Sequence, residues 1–379
     1  FIWYSLPPIF YNLGIIFGAL VLTPKMGPIG LGWGVLLGTA LHFLIQLPGL
    51  RGLGYKYSVV FSLTNYGFKE LITLTIPRTL TLGINQVALL IITFFATNLA
   101  SGSLAVFNFA SNLISLPLGI IGISYAIAIF PILTSKVIEN RMDEYRDQLS
   151  NVVRQIMFFV IPLVVVFVLL RVQIVRVILG SGRFNWDNTI LTMQTLGFFA
   201  IGLIAYNLTP ILVRAFYALE DTKTPLYAAI LSTIQITFFS WLLVRPFGII
   251  GLALAYSIDA VIETVLLYFL LRRRVPEFRK TGVARSLSII VSAALFMALV
   301  IQVTKYLLAP ILNIQTFLGI FSHGAIAGLA GIVVYLVACH LLGSKELAQL
   351  VEGSKRRMLI VARTILPSER EAGEEEVLK

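Results

Sequence analysis

The stretch GIIGLALAYSIDAVIETVLLYFLLRRR, residues 248–274, decides the fold of this chain. It is an apolar run long enough to cross a hydrocarbon core about 30 Å thick, which takes roughly 20 helical residues. Three arginines close the run, as is typical of the cytoplasmic end of a spanning helix. Two carboxylates, Asp259 and Glu263, stand near its midpoint, one helical turn apart and therefore on one face. Because a charge at the centre of a spanning helix is costly, we expect both to face protein or water.

Similar apolar runs recur along the whole chain. Of its 379 residues, 58% are hydrophobic and only 12% are charged, which is more apolar surface than a water-soluble core of that size absorbs. The sequence therefore predicts an all-α, polytopic membrane protein with about ten spanning helices. We expect the spans at residues 2–23, 28–48, 71–97, 104–133, 152–170, 190–213, 225–244, 248–271, 286–307 and 316–342.

The basic residues fall mostly on one side of this alternating topology. The net charge is +11, and most Lys and Arg lie on the side of the loop after the second span and of the C-terminus. The opposite side receives only Lys25, Arg171, Arg176, Arg183, Arg245 and Lys305. This positive-inside bias places the C-terminus in the cytoplasm. The charge therefore reflects topology, and we expect no nucleic-acid partner.

Reactive side chains are sparse in the sequence. Cys339 is the single cysteine, and His42, His323 and His340 are scattered along the chain. With no nucleophile motif and no paired loop carboxylates, we expect no enzymatic activity, no metal and no cofactor. A membrane-embedded enzyme acting on a lipid is the alternative, which a headgroup turnover assay would reveal. The chain opens FIWYSLPPIF without an initiator Met, and we expect it to be a fragment that lacks its N-terminus.

Two segments of the chain resemble each other. GPIGLGWGVLLG, residues 27–38, and GIIGLALAYSID, residues 248–259, each follow an apolar span and a short outer loop with a Pro and a basic residue. We interpret them as an internal repeat, two copies of a helical unit of which the first is incomplete. Parallel repeats are typical of transporters, with the substrate path between the two lobes. Chance similarity between Gly- and Leu-rich helices is the alternative.

Polar and helix-breaking residues mark particular spans. Arg78, Asn85 and Gln86 lie in span three and are candidates for a substrate pathway, because polar groups at membrane depth usually face a cavity or another helix. A packing role for each amide is the alternative. Pro117 in span four and Pro210 in span six predict kinks.

The end of span six reads LVRAFYALEDTKTP, residues 212–225, and here the sequence resembles the MurJ (MviN) family of lipid II flippases, within the multidrug/oligosaccharidyl-lipid/polysaccharide exporter superfamily. Other similar segments run in register, among them YNLGII at 11–16, IPRTLTLGINQ at 76–86 and GSLAVFNFASNLISLPLGIIG at 102–122. The motif suits a cytoplasmic helix end, where an acid caps the turn and a Pro begins the next span. Its residues are Arg214, Ala215, Phe216, Tyr217, Asp221, Thr224 and Pro225.

The resemblance implies an architecture for the chain. The family has fourteen helices, in two lobes of six and an accessory pair, so the ten spans here would be helices five to fourteen. We therefore expect a two-lobe transporter whose first lobe is incomplete. The expected parts are the last two helices of the first lobe at 1–50, a cytoplasmic linker at 51–70, the six-helix second lobe at 71–274, the accessory pair at 284–343 and a basic amphipathic, then acidic, cytoplasmic tail at 344–379.

The resemblance also implies a function in bacterial cell-wall synthesis. The expected activity moves the undecaprenyl-pyrophosphate-linked peptidoglycan precursor from the inner to the outer leaflet of the cytoplasmic membrane by alternating access. The expected partners are this precursor and membrane lipids, with the oligomeric state left open. Coupling to protons, to sodium or to the membrane potential is expected in place of a cofactor. The alternatives are a related polysaccharide-lipid or multidrug exporter and a non-transporting scaffold.

The sequence departs from the family pattern at two positions. Asn112, which is also a candidate for the substrate pathway, stands where the family usually has an Arg before the Leu-Pro of the kinked helix. Ile92 stands where many members have an Asp. Asn112 removes a cationic substrate contact, which makes Arg78 the remaining basic candidate for the pyrophosphate, with snorkelling to the inner surface as its alternative. Asp259 and Glu263 are candidates for an ion-coupling site that replaces the acid lost at Ile92, and an internally hydrogen-bonded or Arg-paired structural pair is the alternative.

Overall fold

The computed structural model describes residues 6–50, 66–180, 186–275 and 282–353. Within residues 66–85 it describes only the side chains of residues 76, 79, 80, 83 and 84. These ranges hold helices and turns, with no strand among them, which confirms the predicted all-α fold. The helices are α1 (Pro7–Phe17), α2 (Thr23–Met26), α3 (Ile29–Leu44), α4 (Tyr66–Thr97), α5 (Ser103–Pro117), α6 (Ser124–Ile138), α7 (Met142–Leu169), α8 (Arg171–Leu179), α9 (Trp186–Ile201), α10 (Leu203–Ala218), α11 (Lys223–Arg274), α12 (Val283–Leu308), α13 (Phe317–Leu341) and α14 (345–353).

Seven of the described helical segments are long and apolar enough to cross a membrane, and the bent pair α9 and α10 makes an eighth. π-Helical turns join α1 to α2 at Gly18–Leu22 and α5 to α6 at Leu118–Ile123. Each of the ten predicted spans falls on helical residues within the described part of the chain. The protein is therefore a multi-pass membrane protein.

The chain divides into two compact units, residues 1–71 and residues 72–379. In the first unit, α1 and α3 pack through glycines. A Cβ on Gly34 would lie 2.6 Å from the Cα of Gly18, and a Cβ on Gly14 would lie 2.3 Å from the Cα of Gly38. Because no side chain separates the two backbones, the helices approach more closely than larger residues allow.

Helix α11 consists of two spans rather than one. At 1.5 Å per residue, its 52 residues would extend about 78 Å, more than twice the thickness of a hydrocarbon core. Gly248 interrupts it with φ +58° and ψ −134°, so that α11a (residues 223–247) turns back into α11b (residues 249–274). Gly251 then lies against the backbone of Leu243, where a Cβ would come within 2.1 Å of the carbonyl oxygen.

The first unit contains the same turn. Gly27 has φ +63° and ψ −154°, close to the values at Gly248. A Cβ on Gly30 would lie 2.5 Å from the carbonyl carbon of Leu22, which is the position equivalent to Leu243. The two segments interpreted as a repeat therefore share both the left-handed glycine and the glycine contact that follows it.

In the second unit, α10 lies at the centre of the helical packing. It contacts α6, α7 and α11, and buries Leu203, Ile211, Ala215 and Phe216 completely. The pair α12 and α13 pack on each other and against α7 and α8 through a separate apolar cluster that includes Met297.

Two details differ from the sequence prediction. The bend in span six lies at Gly202, where α9 and α10 meet at 44°, whereas Pro210 lies inside the continuous helix α10. A Cβ on Gly202 would lie 2.6 Å from the Tyr206 ring, so the close approach of that ring requires a glycine at the bend. The second detail is α8, a nine-residue helix that begins directly after span five, where the sequence predicted only a loop.

Candidate functional site

A cavity of about 430 Å³ lies within the second unit, between α4, α10 and the two halves of α11. Its wall combines apolar residues with carboxylates, an amide, hydroxyls and aromatic rings. The polar and aromatic lining residues are Gln86, Tyr206, Thr209, Ser232, Tyr256, Asp259 and Glu263. None of the described residues that line it is a Lys, Arg or His, so the cavity carries only acidic ionisable groups apart from its tyrosines.

Asp259 is the most buried ionisable group of the cavity. Its exposure is 6%, and its Oδ2 accepts a hydrogen bond from the Ser232 hydroxyl at 2.8 Å. Its other oxygen, Oδ1, is buried and accepts no hydrogen bond from any described residue. Because a buried carboxylate oxygen without a partner is costly, Asp259 is open to a ligand that supplies positive charge or a proton.

Glu263 lies one turn further along α11b and is half-buried in the same wall. Among the described residues, no ion pair reaches Asp259 or Glu263. The Arg-paired structural role considered for them therefore has no described arginine to support it.

Hydrogen bonds between helices fix the cavity wall. The Tyr206 hydroxyl lies 3.0 Å from Ser257 Oγ, and Ser257 donates to the carbonyl of Phe198 at 2.8 Å. The hydroxyls of Thr209 and Thr264 lie 2.7 Å apart. These bonds link α9 and α10 to α11b, so the helix that carries both carboxylates has a defined rotation.

Helix α4 closes the opposite side of the cavity with Gln86 and Ile92. Ile92 is 3% exposed and lines the same space as Asp259 and Glu263. The position at which the resemblance led us to expect an acid and the two acids of α11b therefore line one cavity.

A second buried polar contact supports the π-helical turn after Pro117. Proline has no N–H and disturbs the regular helical ladder, and the irregular turn Leu118–Ile123 follows it directly. The Gly122 N–H donates to Asn207 Oδ1 at 3.0 Å, and the Asn207 amide donates to the carbonyl of Leu203 at 2.8 Å. Asn207 therefore satisfies a backbone donor at membrane depth, which is a structural role.

The predicted pathway residues are not brought together in one described site. Gln86 lines the acidic cavity, whereas Asn112 is exposed on α5 and does not line it. Arg78 and Asn85 lie on α4, but their side chains are outside the described residues. Their roles stay predictions.

The family motif lies at the C-terminal end of α10 and the start of α11. Asp221 Oδ1 accepts from the backbone N–H groups of Lys223 and Thr224 at 3.1 and 3.0 Å, and Oδ2 accepts from the Thr224 hydroxyl at 2.7 Å. Arg274, the last residue of α11b, reaches the same oxygen at 2.9 Å. Asp221 therefore caps the start of α11a and holds the end of α11b beside it.

These contacts also set the charge state of Asp221, which lies in the loop outside the spans. Burial by itself would raise the pKa of its carboxyl. The hydrogen bonds from Thr224 and Lys223 and the guanidinium of Arg274 outweigh burial and lower that pKa below its usual value.

Other motif residues fill the packing next to this cap. Ala215 and Phe216 are fully buried, and the carbonyl of Ala215 accepts a hydrogen bond from the buried Tyr145 hydroxyl at 2.9 Å. Arg214 is half-buried and Pro225 is buried in the first turn of α11a. The described contacts of the motif are thus packing and capping contacts.

Sequence reasoning missed Ser232 and Tyr256 as cavity residues. Ser232 belongs to no recognisable motif, and Tyr256 lies in the repeated segment 248–259 without any sign of a role in a cavity. Ser232 meets Asp259 only because α11 folds back at Gly248. The signal that was available is the glycine repeated in the two similar segments, which marks the turn and hence places the two spans side by side.

Membrane-spanning helices around a cavity whose carboxylates have no ion-pair partner among the described residues are typical of secondary transporters, in which intramembrane ionisable groups serve ion or substrate pathways. The chain belongs to the lipid II flippase MurJ family, whose model matches residues 1–321.

Relatives and a solved structure agree with this membership. The chain is 28% identical over 369 residues to a probable lipid II flippase MurJ of Rhizobium tropici, covering 93% of this chain and 67% of the relative. It is 27% identical over 304 residues to the lipid II flippase MurJ of Burkholderia cenocepacia, covering 78% of this chain and 59% of the relative. A solved structure of lipid II flippase MurJ in an inward closed conformation matches with a TM-score of 0.70 and 25% identity, over 89% of this chain and 67% of that one.

The chain is thus shorter than the proteins it matches. It spans 61% of a Buchnera aphidicola relative and 51% of a Vibrio cholerae relative.

Proposed function

We propose that this chain serves to move an undecaprenyl-pyrophosphate-linked peptidoglycan precursor from the inner to the outer leaflet of the bacterial cytoplasmic membrane. It does so by alternating access and without chemical change to the lipid. The observation that carries the proposal is the family match over residues 1–321, joined to the fold match with a TM-score of 0.70.

The acidic cavity binds the ion that is coupled to transport and does not bind the lipid. A pyrophosphate is anionic, and Asp259 and Glu263 would repel it at a depth where charges are weakly screened. A proton or a sodium ion is attracted there instead, since Asp259 offers a buried oxygen with no described partner. Binding of the cation changes the charge between α4 and α11b, and this differential binding biases the equilibrium between access states.

The pyrophosphate is assigned to Arg78 of α4. This residue is basic, lies in α4, which the sequence predicts to span the membrane, and stands within the segment IPRTLTLGINQ that resembles the family. A guanidinium is suited to a phosphate because it offers several donors in a planar fork.

The proposed orientation places the C-terminus in the cytoplasm. The basic loops support it, and so does the basic cluster at the end of α11b, where Arg274 meets Asp221. After residue 379, a fused reporter of a kind that works in the cytoplasm should be active, and a reporter of a kind that works only outside the cytoplasm should be inactive.

The test of the transport proposal uses bacteria depleted of their own lipid II flippase. The gene that encodes this chain should restore growth and should restore the exposure of lipid II on the outer leaflet. The Arg78→Ala variant should restore neither. The control variant Lys25→Ala changes an exposed basic residue of α2 and should restore both. Normal growth and lipid exposure with Arg78→Ala would remove the pyrophosphate assignment, and failure of the unaltered gene would contradict the transport proposal.

A further inference from the structure

We propose that the acidic cavity is also a binding site for organic monocations, namely small quaternary or tertiary ammonium compounds with an aromatic or aliphatic body. The proposal does not depend on ion-coupled transport. It rests on the size of the cavity, on its charge and on its aromatic rings.

The size of the cavity exceeds what an inorganic ion needs. About 430 Å³ lies within the range of pockets that hold small organic ligands. Apolar residues such as Ile92, Leu118 and Ile236 form much of the wall, and they would cover the hydrocarbon part of a bound compound.

The charge of the cavity selects cations. Asp259 and Glu263 lie on one helix face, and no described basic residue lines the wall. Asp259 is 6% exposed, and its Oδ1 faces no hydrogen-bond donor among the described residues. A buried carboxylate oxygen in this state is a binding partner for a positive centre.

The aromatic rings supply the second recognition element. Tyr206 and Tyr256 both line the cavity, with ring centroids 5.2 Å apart and planes inclined at 39°. Phe199 supports the Tyr256 ring edge-on at 5.7 Å. Tyrosine faces attract ammonium groups, and the attraction grows when water is excluded. Carboxylates and tyrosine rings around one space therefore favour an organic cation over an anion.

The test compares phenyltrimethylammonium with tert-butylbenzene, which has the same shape and no charge. Binding to the full chain in lipid nanodiscs is measured by calorimetry or ligand-observed NMR, with empty nanodiscs subtracted. We expect saturable binding of the ammonium compound only. Absence of saturable binding, or equal binding of the neutral compound, would overturn the proposal.

Substitutions test whether the ammonium compound binds in the acidic cavity. Asp259→Asn with Glu263→Gln should weaken affinity at least tenfold, whereas Asp143→Asn, an exposed acid of α7, should leave it unchanged. Tyr256→Leu should weaken binding by roughly three- to tenfold while Tyr256→Phe, which keeps the ring, should not. Unaltered affinity in the folded double variant, or equal effects of the two Tyr256 variants, would contradict the site. If the double variant does not fold, Asp259→Asn alone and the Tyr256 pair decide.

These outcomes are separable from those of the transport proposal. If the ammonium compound fails to bind while ion-dependent flipping requires Asp259, only the organic-cation proposal is contradicted. If binding of the ammonium compound requires Asp259 while the ion dependence of flipping does not, only the coupling proposal is contradicted.

Discussion

Ser232 on α11a and Asp259 on α11b are joined by a hydrogen bond of 2.8 Å across 27 residues of sequence. In the first unit, Tyr11 and Gly38 occupy the equivalent positions of the repeat, and a Cβ on Gly38 would lie 2.5 Å from the Tyr11 carbonyl oxygen. The first copy thus brings two backbones into contact, whereas the second copy places a carboxylate at the same level and opens a cavity around it. The same helical hairpin therefore packs closely in the first unit and forms an ionisable site in the second.

The glycine packing of the first unit can be tested with a matched pair. Gly34→Ala should lower the free energy of unfolding by about 1–3 kcal/mol, because its Cβ would overlap the backbone of Gly18. Gly32→Ala on the same helix meets no atom within 4 Å and should be neutral or slightly stabilising. Thermal unfolding of the purified protein measures both, and equal effects would contradict the close packing.

Asn207 should be sensitive because it satisfies a backbone donor in the π-helical turn. Asn207→Leu leaves the Gly122 N–H unpaired and should cost about 1–3 kcal/mol of stability. Asn98→Leu serves as the control, since Asn98 is exposed and bonds only within its own helix end. A chemical unfolding curve in detergent compares the two, and a stable Asn207→Leu protein would show that the turn does not need this bond.

The cap at Asp221 should contribute measurably to folding. Asp221→Ala removes three hydrogen bonds at the start of α11a and should cost about 1–2 kcal/mol, most of it from the lost cap. The exchange Asp221→Arg with Arg274→Asp should recover little, since the cap needs an acceptor at position 221. Full recovery in thermal unfolding would show instead that the ion pair with Arg274 dominates.

The pH dependence of this contribution follows from the lowered pKa of Asp221. A carboxyl whose pKa is lower in the folded state stabilises that state fully above its unfolded pKa, about 3.9, and loses the effect as pH falls through the folded pKa. The difference in unfolding midpoint between the natural protein and Asp221→Asn should thus be constant from pH 7 to 5 and shrink below about pH 4. A difference that disappears already between pH 7 and 6 would contradict the lowered pKa.

Much of the fold could be predicted from the sequence because spanning helices are long apolar runs. Each predicted span falls on helix, and the capping role of Asp221 followed from its place between two spans. The bend at Gly202 was not predicted, because the proline signal pointed to Pro210, which lies inside the continuous helix α10. The interior position of Asp259 and Glu263 followed from the cost of charge in lipid. Their meeting with Ile92, Tyr206 and Ser232 did not, because it requires α4, α10 and the α11 hairpin to converge.

Flipping of lipid II by the full chain in proteoliposomes, with sodium and pH gradients varied independently, tests the coupling role of the acidic cavity most directly. The natural protein should respond to one of these gradients. Asp259→Asn with Glu263→Gln should lose that response, while Asp143→Asn, which lies outside the cavity, should keep it. A double variant that flips lipid II with the same gradient dependence as the natural protein would contradict the assignment of the cavity as the coupling site.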